Sequence, residues 1–93
     1  MAAIFTGEYP YSERLINNLK ERTFDTDGLS EDLVWHRDRL DRTVKVIDGT
    51  DWYLQLDDHL PKKLIKNQCY FIPAMVFHRL IKGKTTLKIE IRE

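Results

Sequence analysis

Near the end of the chain Leu87, Ile89 and Ile91 alternate with Lys88, Glu90 and Arg92. A period of two puts the apolar set on one face of a strand and the charged set on the other. Such a strand needs an antiparallel sheet that is packed on one side and wet on the other. Shorter versions of the pattern recur upstream. Val44 and Val46 share a face within Arg42 to Ile47, and Trp52, Leu54 and Leu56 alternate with Tyr53 and Gln55 between Asp51 and Asp57. Within Val76 to Lys82, Val76, His78 and Leu80 oppose Phe77, Arg79 and Ile81. Leu33 to Arg37 reads as the first strand of this series, Cys69 to Ile72 as another, and Lys62 to Lys66 as an edge strand guarded by its lysines. Between these runs stand Asp48-Gly49, a hairpin signal, Asn67-Gln68, Pro73 and Gly83-Lys84, all residues that turn a chain or end a ladder. About seven short strands at regular spacing predict an all-β fold, a small antiparallel barrel or jelly roll.

The first thirty residues differ in texture. Met1 to Pro10 reads as an extended arm, because proline interrupts any regular helix there. Ser12 is a candidate N-cap, and Leu15, Ile16 and Leu19 recur at helical spacing between Glu13 and Arg22, which predicts one N-terminal α-helix. Asp25 to Gly28 follows as a turn. The expectation is a single domain over residues 1–93, with arm and helix in 1–30 and the barrel in 31–93. The helix's apolar stripe needs a surface. Either it covers the open end of the barrel or it forms the seam of a homodimer.

Fifteen Lys and Arg balance fifteen Asp and Glu, so no net field draws the molecule toward nucleic acid or an anionic membrane, and neither is expected as a partner. The single cysteine, Cys69, excludes an internal disulfide and any thiolate zinc cluster, and reads as inert packing in an apolar strand. With no membrane-spanning run and no signal-peptide pattern at the start, the expected location is cytoplasmic.

Polar chemistry concentrates in two stretches, Trp35-His36-Arg37-Asp38 and Phe77-His78-Arg79. If both are strands, His36 and Asp38 point to one face and His78 can join them from a neighbour. Two imidazoles and a carboxylate form the ligand set of a facial-triad Fe(II) site and suit Mn, Ni or Zn as well. His78 shares its face with Val76 and Leu80, and a histidine among apolar side chains needs a partner. The alternative is structural: Arg37, Asp38, Arg39, Asp41 and Arg42 form an ion-pair cluster that solvates a turn. Trp35 and Trp52 read as core or interface aromatics, and His59, after Asp57 and Asp58, as a surface residue.

The order and spacing of these residues resemble the two motifs of the cupin family. His36 falls on the first histidine of the first motif, Asp38 on the second, Arg42 on its glutamate and Gly49 on its closing glycine. In the second motif Asn67 stands at the opening glycine, Pro73 matches, Met75 replaces the second glycine, His78 matches the histidine and Lys82 replaces the asparagine. The resemblance spans Trp35 to Gly83 and extends to the short cupin-like proteins of marine bacteria and their phages, which share the Trp-His-Arg-Asp run. It implies a cupin-type barrel, typically dimeric, with a divalent metal and a small polar ligand at its mouth, and chemistry of the oxygenase or isomerase type. Two outcomes stand open: Asp38 completes a metal triad with His36 and His78, or Arg42 pairs with Asp38 and the site holds no metal. Arg42 and Arg79 are candidates to clamp a ligand's carboxylate or phosphate, with Tyr53 and Gln55 adding polar contacts if their face is the inward one. The competing function is a non-catalytic, metal-free binding or assembly module, also dimeric.

Overall fold

A computed structural model describes residues 11–16, 19–26 and 31–93. Eight strands follow in order: β1 (Tyr11–Ile16), β2 (Leu19–Phe24), β3 (Arg42–Asp48), β4 (Tyr53–Leu56), β5 (Lys62–Lys63), β6 (Cys69–Ile72), β7 (His78–Ile81) and β8 (Leu87–Arg92). They form a five-stranded sheet, β1-β2-β8-β3-β6, and a three-stranded sheet, β5-β4-β7. Every pairing is antiparallel. Beyond a single 3₁₀ turn at Glu31–Leu33, no helix occurs among the described residues.

The alternation in β8 does what its period requires. Leu87, Ile89 and Ile91 are all buried, and β8 lies between β2 and β3, where it is hydrogen-bonded on both edges. Val44 and Val46 face the same interior opposite Ile91 and Ile89. The second sheet supplies Trp52, Leu54 and Leu80, and Leu64 fills the gap beyond it. Each such aliphatic side chain stabilises the fold by about 1.5–3 kcal/mol relative to exposure.

At one end of the core the turns around residues 50 and 84 lock together. Trp52 Nε1 donates to the Thr85 carbonyl at 2.6 Å, Thr50 N to Thr85 Oγ1 at 2.9 Å and Lys84 N to the Thr50 carbonyl at 2.9 Å. Gly83 makes this approach, since a Cβ there would lie 2.3 Å from the Thr50 oxygen and from Trp52 Cδ1. Asp48-Gly49 turns the chain with a positive φ of 144° at Gly49. Against expectation it does not close a hairpin: β3 pairs with β6 and β8, whereas β4 crosses to the other sheet. A jelly roll connects its sheets in this way, and the dipeptide alone cannot distinguish a hairpin from a corner.

Two further expectations are corrected. Where a helix over Glu13 to Arg22 was expected, the chain forms β1 and β2. Leu15 is exposed, and the inward positions of β2 are Arg22 and Phe24. A helix of this length is marginal by itself, whereas β2 satisfies the outer edge of β8 from Lys20 opposite Ile91 to Phe24 opposite Leu87. Phe24 also packs on Trp52, ring centroids 6.2 Å apart. Leu33 to Arg37 likewise is not a strand. Only His36 is bridged, to His78. Lys62–Lys63 does form an edge strand, shorter than expected. The Met1 to Pro10 arm lies outside the described residues, as does the second half of the Asp25 to Gly28 turn.

Candidate metal centre

At the other end of the core, β7 carries His78 inward beside Leu80. The backbone of His36 joins it there. His36 N donates to the His78 carbonyl at 3.0 Å and His78 N to the His36 carbonyl at 2.8 Å. That exchange brings the rings side by side, centroids 4.2 Å apart and tilted by 59°. Asp38 follows in irregular chain, pinned by Met75 N donating to its carbonyl at 2.7 Å and by Ala74 N donating to Asp41 Oδ1 at 2.7 Å. Met75 has a φ of 66°. Two ordered contacts thus replace the strand that was expected to place His36 and Asp38 on one face.

Each imidazole is oriented in the same way. Nδ1 of His36 lies 2.8 Å from the Val34 carbonyl, and Nδ1 of His78 lies 2.9 Å from the Val76 carbonyl. A carbonyl can only accept, so this geometry assigns the proton to Nδ1 and leaves the lone pair on Nε2 in each neutral ring. Such backbone anchoring fixes the tautomer that binds a metal through Nε2. One donor atom from each of His36, Asp38 and His78 lies within 4.8 Å of the others. His78 Nε2 stands 3.2 Å from Asp38 Oδ2. Ligands held about 2.1 Å from a common ion stand roughly 3.0–3.4 Å apart at octahedral or tetrahedral angles. All three residues are buried, and His36 Nε2 and Asp38 Oδ2 have no hydrogen-bond partner among the described residues.

Burial pushes the Asp38 carboxyl up. The close approach of His78 Nε2 and the nearby Arg42 guanidinium outweigh it and hold the group down at about 2. It is therefore a carboxylate at any physiological pH. Arg42 meets the same oxygen through Nη1 at 3.3 Å, and its Nε is held by Glu93 at 2.8 Å. Both open outcomes are thus partly realised: the three side chains converge, and a guanidinium touches the acid among them.

Sequence reasoning missed Asp32. Its carboxylate is buried, with Oδ1 3.4 Å from His36 Nε2 and 3.9 Å from Arg22 Nη1. Its i, i+4 spacing to His36 was visible, but it sits in the 3₁₀ turn, where a strand reading has no place for it. Asp32, His36, Arg42 and His78 line one end of a cavity of about 30 Å³ whose other walls are Leu54, Leu80 and further core residues. That is room for an ion and its water, not for a metabolite.

The remaining ligand candidates stand elsewhere. With His78 and Leu80 inward, Arg79 must point out, and Gln55 lies opposite it in register. Arg79 Nε donates to Gln55 Oε1 at 2.9 Å and its guanidinium covers the Trp35 ring at 4.9 Å. Tyr53 shares the outer parity of Gln55 in β4. Of Arg42, Arg79, Tyr53 and Gln55, only Arg42 reaches the histidine cluster. Trp52 is core, whereas Trp35 is partly exposed; His59 is at the surface as expected, and Cys69, expected in packing, is exposed. On the far side of Leu54 and Leu56 lies a larger open groove of about 580 Å³, walled by β4, β5 and β6.

No protein-family model matches the chain, and no curated protein matches it. Solved structures do. A cupin-2 domain protein from Shewanella frigidimarina aligns over 91% of this chain and 80% of its own, with 23% identity and a TM-score of 0.64. A cupin domain from Bordetella pertussis aligns over 92% and 96%, with 21% identity and a TM-score of 0.62. Structures of DMSP lyases match 83% of this chain and 38% of theirs, at 17% identity and a TM-score of 0.61. No helix among the described residues is long and apolar enough to cross a membrane. The strand order, the two facing antiparallel sheets and these likenesses make the chain a small cupin-fold protein.

Proposed function

We propose that this protein binds a divalent transition metal (Fe, Mn, Ni or Zn) through His36, Asp38 and His78, and presents it to a small polar ligand. One observation carries the reading. Two buried ligand atoms, His36 Nε2 and Asp38 Oδ2, lack hydrogen-bond partners and lie in a group whose imidazoles are both fixed with Nε2 free to coordinate. Burying polar atoms unpaired costs about 1–3 kcal/mol each, and a cation removes that cost. A bound metal of this kind supplies a Lewis acid and, with open positions, a place for water or substrate oxygen. The chain's own part is to exclude bulk water and keep Asp38 ionised. Arg42, held by Glu93 as well as Asp38, would keep that second anchor with Asp38 on a metal. A ligand of metabolite size does not fit the inner cavity and would approach from the groove beyond Leu54 and Leu56. The DMSP lyases show that a cupin-like barrel can host an enzyme, which supports a catalytic role.

The contact of Arg42 with Asp38 favours a second reading, a metal-free, dimeric binding or assembly module, with exposed Leu60, Ile65 and Phe71 along the groove as its seam. One experiment separates the two. Protein purified without a metal-affinity tag should contain metal by elemental analysis, or gain melting temperature when Fe, Mn, Ni or Zn is added. Neither response, together with a dimer by sedimentation, selects the module.

A further inference from the structure

Resting on the metal-binding reading, we infer that Asp32 is a fourth ligand, so that the ion is held by two imidazoles and two carboxylates. The polar end of the core is built twice over. On one side Arg42 contacts Asp38 and Asp38 contacts His78; on the other Arg22 contacts Asp32 and Asp32 contacts His36. Each arginine is backed by a glutamate, Glu13 for Arg22 and Glu93 for Arg42. The separation of His36 Nε2 from Asp32 Oδ1 is 3.4 Å and that of His78 Nε2 from Asp38 Oδ2 is 3.2 Å. Both are spacings of adjacent ligands on one ion.

The tautomers make the parallel chemical. With Nδ1 of His36 on the Val34 carbonyl, the Nε2 of the neutral ring turns a lone pair toward Asp32, and two acceptors facing one another at this distance are joined by a cation between them. That Nε2 is buried without a hydrogen-bond partner, and Asp32 lines the same small cavity as both histidines. Asp32 stands outside the tightest group of three, so coordination draws its carboxylate inward around His36. Two carboxylates neutralise a divalent ion in a buried site, where an excess charge of either sign is costly. The mixed oxygen and nitrogen set suits Fe(II), Mn(II) or Zn(II) and disfavours a soft ion such as Cu(I).

The test uses the full chain, stripped with chelator and titrated with Co(II), whose visible absorption reports the ligand set. Asp32→Asn should weaken Co(II) binding by about ten-fold or more and change the absorption band. Asp32→Glu, which keeps the charge, should recover much of the affinity and guards against a variant that misfolds. Wild-type affinity and an unchanged spectrum in Asp32→Asn overturn the assignment. Weakened binding with an unchanged spectrum also overturns it, since Asp32 then acts only through His36. If the wild-type chain takes up no Co(II), the metal-binding reading falls and takes this inference with it.

Discussion

The two ends of the core are made by the same strands and differ in one respect. At the Trp52 end the buried indole N–H has its acceptor on Thr85, and Gly83 lets the backbone close over it. At the His78 end both imidazoles are anchored through Nδ1 on carbonyls, the carboxylates of Asp32 and Asp38 stand against Nε2, and two of the buried atoms, His36 Nε2 and Asp38 Oδ2, have no hydrogen-bond partner among the described residues. One end of the core is thus fully hydrogen-bonded, and the other keeps two buried acceptor atoms without a hydrogen-bond donor. The Trp52 end is closed by its own hydrogen bonds, and the His78 end gathers donor atoms that could hold a metal ion.

The contrast can be broken by substitution. Trp52→Ala should cost about 3–5 kcal/mol, read as a lowered urea midpoint, while leaving metal affinity intact at temperatures where the variant stays folded. A loss of affinity in the folded variant would mean that the ends are not separable. Next in size, metal at about a hundred times its dissociation constant should stabilise the wild type by about 2.7 kcal/mol, a rise in melting temperature on the order of 10 °C for a domain this small. His36→Ala and His78→Ala should abolish that rise. A rise that survives either variant would place the ion elsewhere.

A smaller effect concerns acid. The folded Asp38 carboxyl sits at about 2 against an unperturbed 3.8, so the unfolded chain binds the proton first and stability falls with it. Its contribution is complete above about pH 4 and is lost as the pH drops toward 2. Metal-free protein should therefore lose melting temperature across that window, and Asp38→Asn should flatten the loss; an unchanged slope would deny Asp38 its role there. Smallest of all, Arg79→Ala removes an outward cation–π contact with Trp35. It should cost about 0.5–1 kcal/mol and leave metal affinity unchanged. A weakened metal site in that variant would show that the outer face of β7 reaches the centre after all.

Particular residues show where reading the chain worked. Leu87, Ile89 and Ile91 announced a half-buried strand because alternation depends only on the strand's own geometry. The His36, Asp38 and His78 group was legible through ligand type and spacing, although no strand runs through His36 and Asp38: one bridge to His78 and one amide from Met75 do that work. The helix over Glu13 to Arg22 failed because Leu15, Ile16 and Leu19 fit a helix locally, whereas the open edge of β8, some seventy residues further along, offered a ladder that local propensity could not anticipate. Asp32 was passed over because its neighbours gave it no period.

The amino-acid sequence by itself determined the period of its strands, the positions of its turns and the kinds of atom available to bind an ion, since all of these follow from each residue and its nearest neighbours. The tertiary structure alone decided which sheet each strand joined, that Asp48-Gly49 makes a corner instead of a hairpin, and that Arg42 and Asp32 stand at the histidines while Arg79 faces out. Those outcomes depend on pairings between distant segments, and a pairing is worth forming only when the partner edge and the shared core exist to receive it.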